Sequence, residues 1–107
     1  MKLEAQRLKK GAIGSLFSRG KCYRDAGFSI RVLPVEEGTS RAGFVIRKKT
    51  GNAVKRNFLR RLFRGCFLEV EPSFKKKHWV LFDVYPKPFL IHRKELREKV
   101  FAILRTL

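Results

Sequence analysis

The apolar positions of this chain recur first at helical spacing and then in alternation, and each change of period marks an element. From Leu3 to Arg19, Leu8, Ala12 and Leu16 recur on one helical face with Ile13 and Phe17 beside them, which predicts a first helix ending at Gly20. Gly11 and Gly14 weaken it by about 1 kcal/mol each relative to alanine. Phe28, Ile30 and Val32 then alternate with Ser29, Arg31 and Leu33 before Pro34, the pattern of a strand. After a polar turn from Glu36 to Ser40, a second strand is expected from Arg41 to Lys48, with Ala42, Phe44 and Ile46 opposite Gly43, Val45 and Arg47. The two strands read as a hairpin with one buried face.

The central stretch, Lys48 to Phe67, returns to the helical period. Gly51 permits a sharp turn and Asn52 can accept a hydrogen bond from a free N–H of the first turn, so a helix should start near Ala53. Val54, Phe58, Leu59, Leu62, Phe63, Cys66 and Val70 then share one broad arc, expected to pack, while Arg56, Asn57, Arg60, Arg61 and Arg64 share the opposite one. Lys55 falls within the packing arc, where a long side chain can still reach outward.

Beyond a loop from Glu71 to Lys77, Trp79 to Tyr85 is nearly continuous in apolar residues and reads as a buried central strand. Asp83 interrupts it and needs a partner such as an arginine or a backbone donor. A last helix, from His92 or Arg93 to Arg105, carries Leu96, Val100, Ile103, Leu104 and Leu107 on one stripe and mixes charge signs outside. The order α-β-β-α-β-α gives an α+β fold, a small mixed sheet packed with helices.

Charge changes the picture. The chain has 107 residues, a single domain, with 26 basic against 9 acidic side chains and a formal charge of +17. No fold requires such a field; it implies a polyanionic partner, nucleic acid first and an anionic membrane surface second. Between Lys48 and Arg64 there is no acidic residue at all, unlike a merely solvated helix face, which mixes signs so that neighbours four apart attract. Lys75, Lys76 and Lys77 form a further charge run, read as a solvated loop with RNA contact as the alternative. Two cysteines are too few for a disulfide framework. The first residues lack the apolar run of a signal peptide and no stretch reaches the ~20 apolar residues of a membrane span, so a cytoplasmic protein is expected.

No metal-ligand spacing, nucleophile–base pair or phosphate-cradling glycine loop appears, and His78 has no visible partner, so no catalytic or metal-ligating residue is assigned. The motif that does appear is GFVIRKK from Gly43 to Lys49, GNAV from Gly51 to Val54, Arg56-Asn57, and then Arg60, Arg61 and Arg64. This segment resembles the protein subunit of bacterial ribonuclease P. In that family an Arg-Asn-Arg element follows the Gly-Asn-Ala-Val; here its second arginine is Phe58. The resemblance is tight from Gly43 to Phe67 and looser over the rest of the chain from about Leu8 to Leu107.

What the resemblance implies is specific. The sheet would include a left-handed βαβ crossover through the central helix, where general rules predict the opposite hand. The active site would belong to a partner RNA that holds Mg²⁺, the protein acting as a subunit of an endoribonuclease that removes the 5′ leader of precursor tRNA. Lys48, Lys49, Asn52, Lys55, Arg56, Asn57, Arg60, Arg61 and Arg64 would contact RNA. Ile13, Phe17 and Arg31 would face a cleft between helix and sheet that receives the leader, with Arg31 standing where family members often place an aromatic, so that it would hold a phosphate rather than a base. Two other classes share the charge. A general structured-RNA-binding protein of ribosomal type lacks only the specific segment, and a basic peripheral membrane protein would need apolar side chains that the central helix reserves for packing.

Overall fold

The computed structural model describes residue 8 and residues 10–25, 27–36, 38–85 and 93–107. Among these, strands β1 (Lys21–Asp25), β2 (Phe28–Pro34), β3 (Arg41–Ile46) and β4 (His78–Val84) form one sheet in the order β1-β2-β4-β3. The helices are α1 (Lys10–Arg19), α2 (Ala53–Val70) and α3 (Arg93–Leu104). The neighbours β1–β2 and β2–β4 are antiparallel, whereas β3 and β4 run parallel and are joined through α2. The mixed α+β sheet is therefore as expected, with β1 as an added edge strand; its KCYRD has too little apolar alternation to announce it.

The expected hairpin does not form. β2 and β3 both pair with β4, which lies between them, with Ile30 opposite Phe82 and Phe44 in register beside it. The reason is burial. A strand apolar on both faces gains most at the centre of a sheet, and five of the seven residues of β4, from Val80 to Val84, are fully or nearly fully buried.

The two faces of the sheet are covered differently. Phe28, Ile30, Val32, Ala42, Val80, Phe82 and Val84 face α2 and α3 and form the main core with Leu59, Phe63, Cys66, Phe67, Leu96, Val100 and Leu104. Phe63 lies at its centre, its ring centroid 5.8 Å from that of Phe28 and 5.1 Å from that of Phe82, which in turn stacks on Phe44 at 5.3 Å. The opposite face, around Leu81, is met by Leu8 and by Ala12 and Leu16 of α1.

The first helix starts later than its pattern suggests. Leu8 lies before α1 and donates its N–H to the Ala42 carbonyl at 3.1 Å, so it bonds to β3 instead of completing a helical turn. Gly43 makes room for it: a Cβ there would come within 2.9 Å of Leu8 Cδ1. The remainder of the expected first turns, residues 1–7 and 9, lies outside the described residues. At the other end Gly20 donates to the Leu16 carbonyl, and any Cβ at position 20 would collide with that oxygen.

Candidate nucleic-acid interface

The cap of α2 is as its residues suggest, but β3 ends at Ile46 instead of Lys48 and Gly51 does not use a left-handed conformation to make the turn. Lys48–Thr50 make one turn of 3-10 helix, Gly51 is extended, and the Asn52 side chain caps α2 by accepting the Lys55 N–H at 2.9 Å. Thr50 is buried while Lys48 and Lys49 stand exposed. Lys55 is half-buried, its aliphatic stem lying against Gly51, where a Cβ would approach Lys55 Cδ to 2.7 Å. The first turn of α2 contains no acidic residue, so Lys55 and Arg56 add to the positive end of the helix dipole instead of offsetting it.

The basic arc of α2 resolves into two rows. Arg56, Arg60 and Arg64, four residues apart, are half-exposed, and the Nε atoms of Arg56 and Arg64 are shut off from solvent with no acceptor. Asn57 and Arg61 are exposed on the next row, and Asn57 Oδ1 accepts from Arg60 Nη1 at 3.3 Å. Two members of the expected packing arc are on the surface instead: Val54 is 78% exposed and Phe58 38%. They line an open hollow with Asn57, Arg61, Leu62 and Arg97 of α3. The buried stripe begins only at Leu59 and includes Phe67, because the sheet and α3 cover a narrower sector than the apolar arc. Arg97 carried no signal in the sequence, since α3 mixes charges like an ordinary packing helix.

On the opposite face of the sheet Arg31 meets Phe17, with Ile13 one turn back on α1. Ile13 is half-buried on α1 against the cluster of Leu8, Ala12, Leu16 and Leu81, which Leu33, Val45 and Trp79 border. Phe17, one turn on, is 47% exposed. The Arg31 guanidinium, from β2, lies over its ring with Cζ 4.4 Å from the centroid. Arg31 Nε is buried without an acceptor.

Asp83, on the same sheet face, has the arginine partner its burial demanded. Arg47 Nη1 donates to Asp83 Oδ1 at 2.6 Å and to the Val84 carbonyl at 3.2 Å. Arg47 is the residue between β3 and the Lys48–Thr50 turn, so the pair ties the start of the basic segment to the central strand. The Asp83 side chain is only 9% exposed and that of Arg47 46%, so the cation forms the outer end of the pair.

The described residues contain no group of three His, Cys, Asp or Glu side chains able to hold a metal ion. His78 is buried, its backbone N–H donating to the Ser40 hydroxyl oxygen and its Nδ1 lying 2.8 Å from the Lys76 carbonyl. Burial pushes the Cys66 thiol up to about 11, away from any thiolate chemistry at neutral pH. No helix among the described residues is long and apolar enough to cross a membrane.

A small α+β domain whose parallel crossover helix carries only cations from Lys55 to Arg64 is thus the class that fold and surface define. The ribonuclease P family profile matches residues 2–107, and the chain belongs to that family. It is 40% identical over 72 residues to the ribonuclease P protein component of Shouchella clausii, a match covering 65% of this chain and 59% of that relative. With the component from Ligilactobacillus salivarius it shares 27% identity over 104 residues, 95% of this chain and 92% of the other. Among solved structures, the Thermotoga maritima RNase P protein in complex with 1-(4-fluorophenyl)-2-thiourea superposes with a TM-score of 0.80 at 24% identity, over 94% of this chain and 99% of that one. A Staphylococcus aureus RNase P protein mutant with defective mRNA degradation activity superposes at 0.73 with 25% identity, over 94% and 88%.

Proposed function

We propose that this chain is the protein subunit of a ribonuclease P holoenzyme, binding the catalytic RNA through α2 and its preceding turn and the 5′ leader of precursor tRNA through the cleft beside α1. The observation that carries the reading is the arrangement of the motif segment. Lys48, Lys49, Arg56, Arg60, Arg61 and Arg64 lie on one turn and one helix, with no carboxylate between the first and the last. Planar guanidiniums can each donate two parallel hydrogen bonds to a phosphate, and neutralising phosphates releases counterions. Ile13, Phe17 and Arg31 lie on the other face of the sheet, where unpaired leader nucleotides have an apolar wall and a cation to meet.

In this reading the protein works by position and charge. Mg²⁺ stays with RNA phosphates, because the described side chains supply no carboxylate cluster to hold it. The chain orients the leader and screens repulsion between two RNAs, which lowers the Mg²⁺ that cleavage needs. Its working compartment is the cytoplasm, where tRNA precursors are processed.

The test is cleavage of a precursor tRNA by the cognate ribonuclease P RNA at limiting Mg²⁺, with and without the protein, mapping the 5′ end produced. Restored accurate cleavage is the expected result. Binding without any change in cleavage would replace this reading with that of a general structured-RNA-binding protein. Within the first outcome, replacing Arg60 and Arg64 by alanine is expected to flatten the salt dependence of RNA binding by about two units of slope. An unchanged slope would remove the Arg56–Arg64 row from the interface.

A further inference from the structure

Besides Phe17, the described residues leave two large apolar side chains exposed, Val54 and Phe58, and these two lie together. By helical spacing Val54, Phe58 and Arg61 form the outermost ridge of α2, with Arg56, Arg60 and Arg64 along one flank and Leu62 and Glu69 along the other. α3 stands on that second flank. Its Arg97 comes within 3.7 Å of Glu69 Oε2 and, with Val54, Asn57, Phe58, Arg61 and Leu62, lines an open hollow of about 560 Å³. That volume is in the range of sites that take a small molecule.

The lining combines two chemistries. Val54, Phe58 and Leu62 supply an apolar floor, and Arg61 and Arg97 supply cations at its edge. Arg97 is held only loosely by Glu69, since the contact is long and both side chains are substantially exposed. Lys94, exposed one turn earlier on α3, adds charge of the same sign, and no carboxylate of the described residues lines the hollow. Such a surface selects among occupants. A duplex backbone would use the cations and gain nothing from the floor. A second copy of the chain would bring a further +17 against them. An unpaired nucleotide matches both parts, because its base has a flat face that stacks on an aromatic ring and its phosphate accepts from guanidiniums. Arg61 and Asn57 adjoin the Arg56–Arg64 row, so an RNA lying along that row passes the mouth of the hollow.

We propose that the hollow between α2 and α3 binds one unpaired nucleotide of the catalytic RNA, its base against Phe58 and Val54 and its phosphate held by Arg61 and Arg97. The inference rests on the reading of α2 as the face that meets this RNA, and it adds to that charged face an apolar contact and a residue of α3. Any base serves, because the ring and the aliphatic side chains meet a base on its face and read none of its edges.

The experiment uses the full chain and the cognate ribonuclease P RNA. With p-benzoylphenylalanine replacing Phe58, irradiation of the complex is expected to crosslink one unpaired nucleotide. Removing the base of that nucleotide, with its sugar and phosphate kept, should weaken binding of the unaltered protein about tenfold. Phe58→Ala should weaken binding of the intact RNA by a similar factor and cost nothing further on the abasic RNA, whereas Phe58→Tyr, which keeps the ring, should bind as the unaltered protein does. Arg97→Ala should lower the salt dependence of binding by about one unit of slope. Crosslinks confined to paired nucleotides, losses that multiply when Phe58→Ala meets the abasic RNA, or an unchanged slope for Arg97→Ala overturn the proposal. So does an RNA affinity indifferent to Phe58→Ala, which would assign the hollow to another occupant such as an acidic peptide. All of these leave the α2 reading standing as long as the Arg60 and Arg64 replacements flatten the salt dependence. Failure of the unaltered protein to bind the RNA overturns that reading, and this proposal with it.

Discussion

The two faces of the sheet use the same residue types to opposite ends. On the face toward α2 and α3, Phe28, Phe63, Phe67 and Phe82 are sealed from solvent, and the Phe63 ring meets those of Phe28 and Phe82. On the face toward α1, Phe17 stays half in solvent and its neighbour is an arginine. What differs is coverage. Two helices totalling 30 residues, 18 in α2 and 12 in α3, close the first face, while the 10-residue α1 lies across the second. A phenylalanine becomes core where the neighbouring layer is complete and a binding surface where it stops short.

The sharpest way to break that comparison is to truncate one ring on each face. Phe63→Ala should destabilise the protein by about 3–5 kcal/mol, because the ring is fully buried and its cavity is enclosed by Phe28 and Phe82. Urea unfolding measures this, and a loss below about 1 kcal/mol would show that the face is not sealed. Next in size is the ion pair at the edge of the open face. Arg47→Ala strands the Asp83 carboxylate, only 9% exposed, and should cost about 2–3 kcal/mol. Asp83→Ala should cost less, since Arg47, already 46% exposed, can turn to water. Equal costs would mean that the carboxylate is less confined than its burial indicates.

Phe17→Ala should show the reverse profile of Phe63→Ala. Its stability cost is expected below about 1 kcal/mol, while binding of leader-bearing precursor tRNA by the holoenzyme weakens by about 1–3 kcal/mol and that of mature tRNA does not. Equal losses for both RNAs would return Phe17 to the core.

The smallest effect concerns the thiols. Cys66, on the sealed face, is raised from 9.0 to about 11 by burial, so the unfolded chain gives up this proton first. Its contribution to stability is therefore complete below pH 9 and declines as pH climbs toward about 11. At pH 8 a disulfide reagent should modify the half-buried Cys22 of β1 and reach Cys66 only on unfolding; rapid reaction of both in the folded protein would contradict the sealing of that face.

How much of this was legible in the chain varies with the range of the interaction that decides it. The start of α2 was, because the Asn52 cap and the Gly51 turn act within a few residues. The need of Asp83 for a partner was also legible, being a property of a carboxylate in an apolar strand, but the identity of the partner was not: Arg47 lies 36 residues away and meets it only through the β3–β4 pairing. Val54 and Phe58 were misplaced because a helical wheel gives the direction of a side chain and not whether another element stands there. Strand β1 and the role of Arg97 beside Phe58 left no local trace, since neither depends on an apolar period.

The sequence by itself determined the sign of the protein's field, the helical and strand segments with apolar periods, the cap of the central helix and the family. These follow from composition and from interactions between residues close along the chain. Only the tertiary structure decided that β4 separates β2 from β3, that Leu8 bonds to the edge of β3 beside Gly43, and that Arg47 would find a carboxylate and Arg31 a ring. Those outcomes depend on which buried surface each segment finds across the fold, and that competition is settled by packing among all the elements at once.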